Sequence, residues 1–91
     1  MSYRYRATEP FWESFYDLRP EQKESVRRAW RIFKGNPFDP RLGTHKIQGL
    51  SAIYKRTVYA VKVEGDLRVI FIIEADTVWS LEVGTHDLYK Q

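Results

Sequence analysis

The sequence predicts an α+β domain of the order β-α-α-β-β-β, in which a helical hairpin packs on a small curved antiparallel sheet. Up to Phe33, apolar residues recur at helical spacing. From Ile53 onwards, they alternate with polar residues as they do in strands. A chain of 91 residues has material for one modest core, so residues 1–91 are predicted to form a single domain.

The N-terminal stretch predicts one strand followed by the first helix. Ser2–Thr8 alternates tyrosine with arginine, which is typical of a strand with one solvated face. Thr8 is a suitable N-cap for the helix, and Pro10 fits its first turn. The apolar stripe of this helix is formed by Phe11, Phe15 and Leu18. The helix is expected to end before Pro20, since the residue preceding a proline avoids the helical conformation.

A second helix is predicted from Pro20 to the segment Gly35–Pro37, where glycine and proline end it. Its apolar face is formed by Val26, Ala29, Trp30 and Phe33. A basic face with the same three-to-four spacing is formed by Lys23, Arg27, Arg31 and Lys34. The connection between the two helices is very short, which favours an antiparallel hairpin.

Three strands joined by tight turns complete the predicted fold. A loop over Asn36–Gly49 precedes them. The strands are predicted within Ile53–Val63, Leu67–Ile73 and Thr77–Val83. Turns this short join antiparallel neighbours, so the three strands form a meander. The middle strand is apolar on both faces and is therefore expected to be central.

The composition excludes several classes of protein. A hydrophobic content of 43% with 15% aromatic residues is too rich for a disordered chain. Without cysteine, the chain has no disulfide framework, no cysteine-based zinc site and no cysteine nucleophile. No apolar run approaches the length of about 18 residues that a membrane span needs. A soluble cytoplasmic protein without a membrane partner is expected.

The two halves of the chain carry opposite charge. Nine lysines and arginines face three acidic residues between Pro20 and Arg56, whereas six acidic residues face three basic ones from Thr57 onwards. A basic surface built by the first half would attract a polyanion or an acidic protein partner. A solvated basic surface without a ligand explains the charges equally well.

The common catalytic motifs are absent, including a phosphate-binding glycine loop and the GxSxG and HExxH patterns. The candidate residues around the meander are His45, Lys46, Lys62, Asp66, Arg68, His86 and Tyr89. Such side chains suit RNA cleavage by the 2′-hydroxyl of the substrate. Histidine can transfer the protons, while arginine and lysine stabilise charge on the phosphate. This chemistry requires no metal and no other cofactor.

Each candidate also has a simpler structural interpretation. His45 and His86 fit surface or capping positions, and Lys62 fits the solvated face of an outer strand. Asp66 is an ordinary turn residue, and Arg68, at the end of a strand, can reach water. Only convergence of these side chains on one face of the sheet would favour catalysis.

Three sequence motifs occur in an order that is typical of one known protein family. THKIQG is similar to the family loop ending H-P-L-Q-G, and YAVKVEGDLRVIF is similar to a strand pair with Lys62 in place of an arginine. GTHDLY is similar to the ending G-T-H-x-D-L-F with one residue fewer. Together they resemble the RelE/ParE superfamily of bacterial toxins, most closely the RelE and YafQ type of mRNA interferase.

The resemblance implies a type II toxin that cuts mRNA at the ribosome and is neutralised by a cognate antitoxin. It implies His86 as the general acid, Arg68 as the residue that binds the scissile phosphate and Lys62 as a charge stabiliser. His45 and Asp66 would assist proton transfer. The residues expected to bind mRNA or rRNA are Lys23, Arg27, Arg31, Lys34, Lys46 and Tyr89.

Two alternatives stay open, because one scaffold serves several functions in this superfamily. A ParE-like chain would inhibit gyrase without chemistry of its own. A catalytically silent relative would only dock a partner through its basic surface. Both alternatives are compatible with a homodimer, as is the nuclease.

Overall fold

The computed structural model describes residues 3–90, except for the side chains of His86 and Lys90. In chain order, the elements are β1 (Arg4–Ala7), α1 (Glu9–Tyr16), α2 (Pro20–Phe33), β2 (His45–Lys46), α3 (Gln48–Tyr54), β3 (Tyr59–Glu64), β4 (Leu67–Glu74) and β5 (Thr77–Gly84). Short 3-10 helices cover Pro40–Leu42 and His86–Lys90. The predicted α+β fold is confirmed. Ser2, placed in the predicted first strand, lies outside the described residues.

The five strands form one sheet in the order β1-β5-β4-β3-β2. Strands β3, β4 and β5 pair antiparallel, as predicted, and β4 is central. The two-residue strand β2, which lies in the predicted loop, adds antiparallel to β3. The sheet as a whole is mixed, because β1 pairs parallel to β5 along Arg4–Ala7. The prediction of a purely antiparallel sheet therefore needs this correction. A strand's partner depends on distant residues, which local alternation does not reveal.

Helices α1 and α2 cover one face of the sheet, which we call the helix face. Thr8 caps α1 as predicted, since the Phe11 amide donates to its hydroxyl oxygen at 3.3 Å. The same hydroxyl donates to the Leu81 carbonyl at 2.7 Å and so ties the start of α1 to β5. Phe71 of β4 is fully buried at the centre of this layer, with its ring 5.0 Å from that of Phe33.

Helix α3 and the C-terminal 3-10 helix pack on the opposite face, which we call the open face. Leu50 of α3 is fully buried against Ile70 and Ile72 of β4. The sequence predicts a loop up to Gly49 and a strand from Ile53, and both predictions are wrong here. The segment forms α3, and the strand begins only at Tyr59. Seven residues that include a glycine give too weak a helical pattern to detect.

Helix α2 departs from its predicted end and from its predicted apolar face. It ends at Phe33, and Gly35 does not adopt the left-handed conformation expected of a C-terminal glycine. Val26 and Phe33 are buried as predicted, but Trp30 keeps 39% of its surface exposed. Its ring packs edge-on against Tyr5 of β1 at 5.5 Å. Trp30 therefore lies at the rim of the helix layer, and Phe33 lies at its centre.

Two irregularities bend the sheet near one end. In the β3–β4 pair, the register shifts between Lys62 and Glu64. In the β4–β5 pair, Ser80 and Glu82 face consecutive residues of β4, so Leu81 is the additional residue. Bulges increase the local twist and redirect side chains. Both flank the segment of β4 that begins at the Gly65–Asp66 turn.

An ion pair fixes the loop after α2. The Nε and Nη2 atoms of Arg41 each donate to the Asp39 carboxylate at 3.0 Å. These hydrogen bonds, together with the Arg41 backbone amide, lower the pKa of Asp39 from 3.8 to about 2.

We expect NMR to show the Asp39 carboxyl titrating near pH 2. Because this pKa is depressed on folding, the pair stabilises the fold above about pH 4. That contribution is lost as the pH falls through about 2. Arg41→Ala should return the carboxyl toward its ordinary pKa, and an unchanged titration would exclude Arg41 as the cause.

Candidate active site

Lys62 and Arg68 occupy neighbouring backbone positions on the open face. Lys62 of β3 is the direct cross-strand partner of Arg68 of β4, and Arg68 is in turn opposite Gly84 of β5. Adjacent strands are about 5 Å apart, so the three positions form a short row across the sheet. Whether Lys62 and Arg68 share one face was left open by the sequence, and their register places them on the same face. The two-residue turn alone would pair Val63 with Arg68; the register shift between Lys62 and Glu64 brings Lys62 opposite Arg68 instead.

The Arg68 side chain is held by two partners and keeps 19% of its surface exposed. Its Nη1 donates to the Tyr89 hydroxyl at 3.1 Å, and the guanidinium carbon lies 5.6 Å from the centre of that ring. Its Nη2 is 3.4 Å from the Asp66 carboxylate. The guanidinium of Arg68 therefore has a position defined by protein contacts, whereas a fully solvated arginine has none.

The guanidinium of Arg68 keeps its charge but has an incomplete set of hydrogen bonds. The bond to Tyr89, more than the nearby Asp66 carboxylate, raises the pKa of Arg68 and outweighs the opposing effect of burial. The Nε atom is buried without an acceptor among the described residues. Buried N–H groups are nearly always paired. This N–H is enclosed by the protein and is not accessible to a ligand.

His45 lies on the same face, one row away. It pairs with Ala60 of β3, whose side chain belongs to the open-face core. The Nδ1 atom is 2.9 Å from the Gly43 carbonyl oxygen. A carbonyl only accepts, so Nδ1 carries the proton in the neutral ring and Nε2 presents a lone pair. This tautomer suits a proton acceptor.

Two further predicted residues have different outcomes. Asp66 occupies the Gly65–Asp66 turn, and its carboxylate lies 3.4 Å from the Arg68 Nη2 atom. The side chain of His86, the predicted general acid, lies outside the described part of the structure. Its backbone begins the 3-10 helix two residues after Gly84, next to the row of cations.

The sequence analysis missed Glu82, which lies on the open face opposite Ile70. Simple alternation along β5 would place Glu82 with Val78 on the helix face. The additional residue Leu81 reverses this order, so that Val83 enters the core with Phe11 instead. A single sequence carries no clear signal for such a bulge.

The basic face of α2 is far from this site. Lys23 lies over the Tyr16 ring at 6.0 Å, and Arg27 lies over the Phe15 ring at 5.6 Å. Both contacts are on the helix side of the sheet, whereas Arg68 is on the open face. Lys46 pairs with Tyr59, which packs on the helix face. Of the residues predicted to bind RNA, only Tyr89 is brought to Arg68.

The described residues show neither a metal-binding cluster nor a membrane-spanning helix. No three His, Asp or Glu residues among them are grouped as they would be to hold a metal ion. Within the same part of the chain, no helix is long and apolar enough to cross a membrane.

Solved structures share this architecture at low sequence identity. A chain of the archaeal RelE–RelB complex from Pyrococcus horikoshii superposes with a TM-score of 0.71 at 16% identity, covering 93% of this chain and 96% of that one. A chain of the Escherichia coli DinJ–YafQ toxin–antitoxin complex gives 0.72 at 11% identity, with 97% of both chains covered. A Helicobacter pylori protein gives 0.67 at 17% identity over 93% of this chain and 96% of its own.

No protein-family model matches the sequence. No curated protein matches it either. The likeness to these solved structures is therefore a likeness of fold. It agrees with the order of helices and strands in this chain and with the length of the chain.

Proposed function

From the RelE-type toxin fold that this chain adopts, we propose that it is the toxin of a type II toxin–antitoxin system and that it cleaves mRNA on the ribosome. The observation that carries the proposal is the Lys62–Arg68 pair on the open face. Like charges directly opposite each other destabilise a sheet. A phosphate bound between these two side chains would offset that cost.

The reaction follows from the side chains around this pair. The 2′-hydroxyl of the substrate gives its proton to a base, and the 2′-oxygen forms a bond to phosphorus. The bond from phosphorus to the 5′-oxygen then breaks, and an acid protonates the leaving oxygen. The products are a 2′,3′-cyclic phosphate and a 5′-hydroxyl. Arg68 and Lys62 stabilise the charge on the pentacovalent transition state.

We assign the proton transfers to histidines, whose pKa suits exchange near neutral pH. His45 is the candidate base because Nδ1 is engaged by Gly43 and Nε2 is its acceptor. His86 is the proposed acid, since its backbone follows Gly84 at the end of the row. Asp66 and Tyr89 act through Arg68 and are positioning residues.

The partners follow from the two separate basic surfaces. The open face would take the mRNA strand. The basic stripe of α2, on the other side of the sheet, would contact rRNA phosphates, which position the protein without reading sequence. An antitoxin is the proposed neutralising partner, and the cytoplasm is the proposed compartment.

The proposal is tested by adding the protein to a purified translation system with a defined mRNA and mapping the new 5′ ends. We expect cleavage at fixed codon positions in ribosome-bound mRNA, with a 5′-hydroxyl on the downstream fragment. Loss of gyrase supercoiling activity without RNA cleavage would instead support a ParE-like inhibitor. If neither RNA cleavage nor loss of supercoiling activity is observed, the third alternative, a catalytically silent binding protein, is supported.

Tyr89→Phe tests the positioning of Arg68. Removing one hydrogen bond costs about 1 kcal/mol, so kcat/KM for mRNA cleavage should fall about fivefold. Tyr89→Ala should have a larger effect, because it also removes the ring beside the guanidinium. A merely structural role for Tyr89 would lower the melting temperature of both variants and leave the activity of the folded protein unchanged.

A further inference from the structure

An open groove of about 500 Å³ lies between α2 and the outer edge of β3. We call it the edge groove. Its polar lining residues are Ser25, Arg28, Arg41, Lys62 and Glu64. Strand β2 pairs with β3 only at Tyr59 and Ala60, so the rest of that edge is bordered by this groove. Lys62 belongs both to the groove and to the row of cations on the open face.

Arg28 supplies a held and uncompensated positive charge. Its Nη2 donates to the Ser25 hydroxyl at 3.0 Å. Ser25 is itself buried, and its hydroxyl donates to the Glu21 carbonyl at 3.1 Å. The partner of Arg28 is therefore neutral, and within residues 3–90 no carboxylate forms an ion pair with it. A fixed arginine without a counter-ion is suited to bind an anion.

The remaining charges leave the groove cationic. Arg41 is already paired with Asp39 at 3.0 Å and contributes little net charge. Glu64 is the acidic residue of the lining, against the free charges of Arg28 and Lys62. The lining contains no aromatic ring on which a base could stack. Its chemistry suits the phosphates of a strand better than its bases.

Lys62 connects the groove to the site because of where its stem lies. A Cβ atom at Gly43 would be 3.2 Å from the Lys62 Cδ atom. Gly43 also has a φ of +58°, in the left-handed region that favours glycine. The glycine therefore gives the lysine stem room to pass along the edge of β3. Arg68, Lys62 and Arg28 then mark one path from the open face into the groove.

We infer that the edge groove is a subsite for the sugar–phosphate backbone of the RNA that flanks the scissile phosphate, with Arg28 contacting a flanking phosphate. The inference rests on the proposed function, since Arg68 must bind the central phosphate. The inference also gives the path of the bound RNA. The RNA leaves the open face over Lys62 and continues between α2 and β3.

The test uses uncleavable single-stranded 2′-O-methyl RNA of about three and about nine nucleotides, within the range of single-strand binding sites. Arg28→Ala should weaken binding of the longer oligonucleotide about three- to tenfold and leave binding of the shorter one unchanged. The slope of log K against log salt should become shallower by about 0.7 for the lost phosphate contact. Arg28→Lys should recover part of the affinity.

Arg56→Ala is the matched control, since it removes the same charge from a surface ion pair with Glu74. Arg56 neither lines the edge groove nor belongs to the basic stripe of α2, so its replacement should not change length dependence. Equal losses in the Arg56 and Arg28 variants, or no loss in either, would overturn the subsite. Arg68→Ala should weaken the binding of both oligonucleotides. If it weakens neither, the proposed function fails, and that result is separate from the Arg28 comparison.

Discussion

Arg68→Ala is expected to slow ribosome-dependent mRNA cleavage by about 10²–10³-fold, which is the usual cost of losing one group that stabilises transition-state charge. The loss should fall on kcat, because the charge on the phosphate grows as the 2′-oxygen attacks. Arg68 is the proposed source of this stabilisation because Tyr89 and Asp66 hold its guanidinium on the open face. The measurement is single-turnover cleavage on programmed ribosomes.

Two variants make this result specific. Arg68→Lys keeps a charge but loses the planar fork that grips two phosphate oxygens, so it should recover only part of the rate. Arg56→Ala is the matched control, since Arg56 forms an exposed ion pair with Glu74 at the opposite end of β4. Nearly full activity of Arg68→Ala would remove this residue from the mechanism. An equal loss in Arg56→Ala would indicate a general effect of charge.

Phe71→Ala is expected to destabilise the fold by about 3–5 kcal/mol, as is typical of a buried phenylalanine. The Phe71 ring is fully buried and lies 5.0 Å from that of Phe33 and 5.2 Å from that of Tyr59. Small domains are stable by only about 5–15 kcal/mol, so this one change should consume much of the total. Urea unfolding should show it as a lower midpoint with an unchanged slope.

Phe38→Ala is the control for this measurement. Phe38 belongs to the same group of rings, 6.2 Å from Phe71, but keeps 42% of its surface exposed. Its truncation leaves no closed cavity, and a cost of about 1 kcal/mol is expected. If the two variants proved equally stable, Phe71 would not be the centre of the helix-side core.

The strong periodicities explain why much of the fold was predictable. Thr8 and Pro20 set the starts of two helices, and the turn at Gly65 set the hairpin of β3 and β4. Helix α3 was missed, because Gln48–Tyr54 is short and contains a glycine. The parallel pairing of β1 was missed because its partner is about seventy residues away in the chain.

Local rules alone do not predict the candidate site. The two-residue turn alone would place Val63 opposite Arg68, and the register shift between Lys62 and Glu64 brings Lys62 there instead. The contact of Tyr89 with Arg68 depends on how the C-terminal 3-10 helix folds back, which no local pattern encodes. Glu82 was assigned to neither face, since one additional residue in β5 reverses the alternation.

The parallel pairing of the first strand with the last has a consequence for the order of folding. Arg4–Ala7 finds its partner only in Thr77–Ser80, so β1 cannot join the sheet until β5 is available. Contacts between such distant segments form late, after the loop between them has closed. We therefore expect β1 to dock last during folding, after the β3–β4–β5 meander has formed.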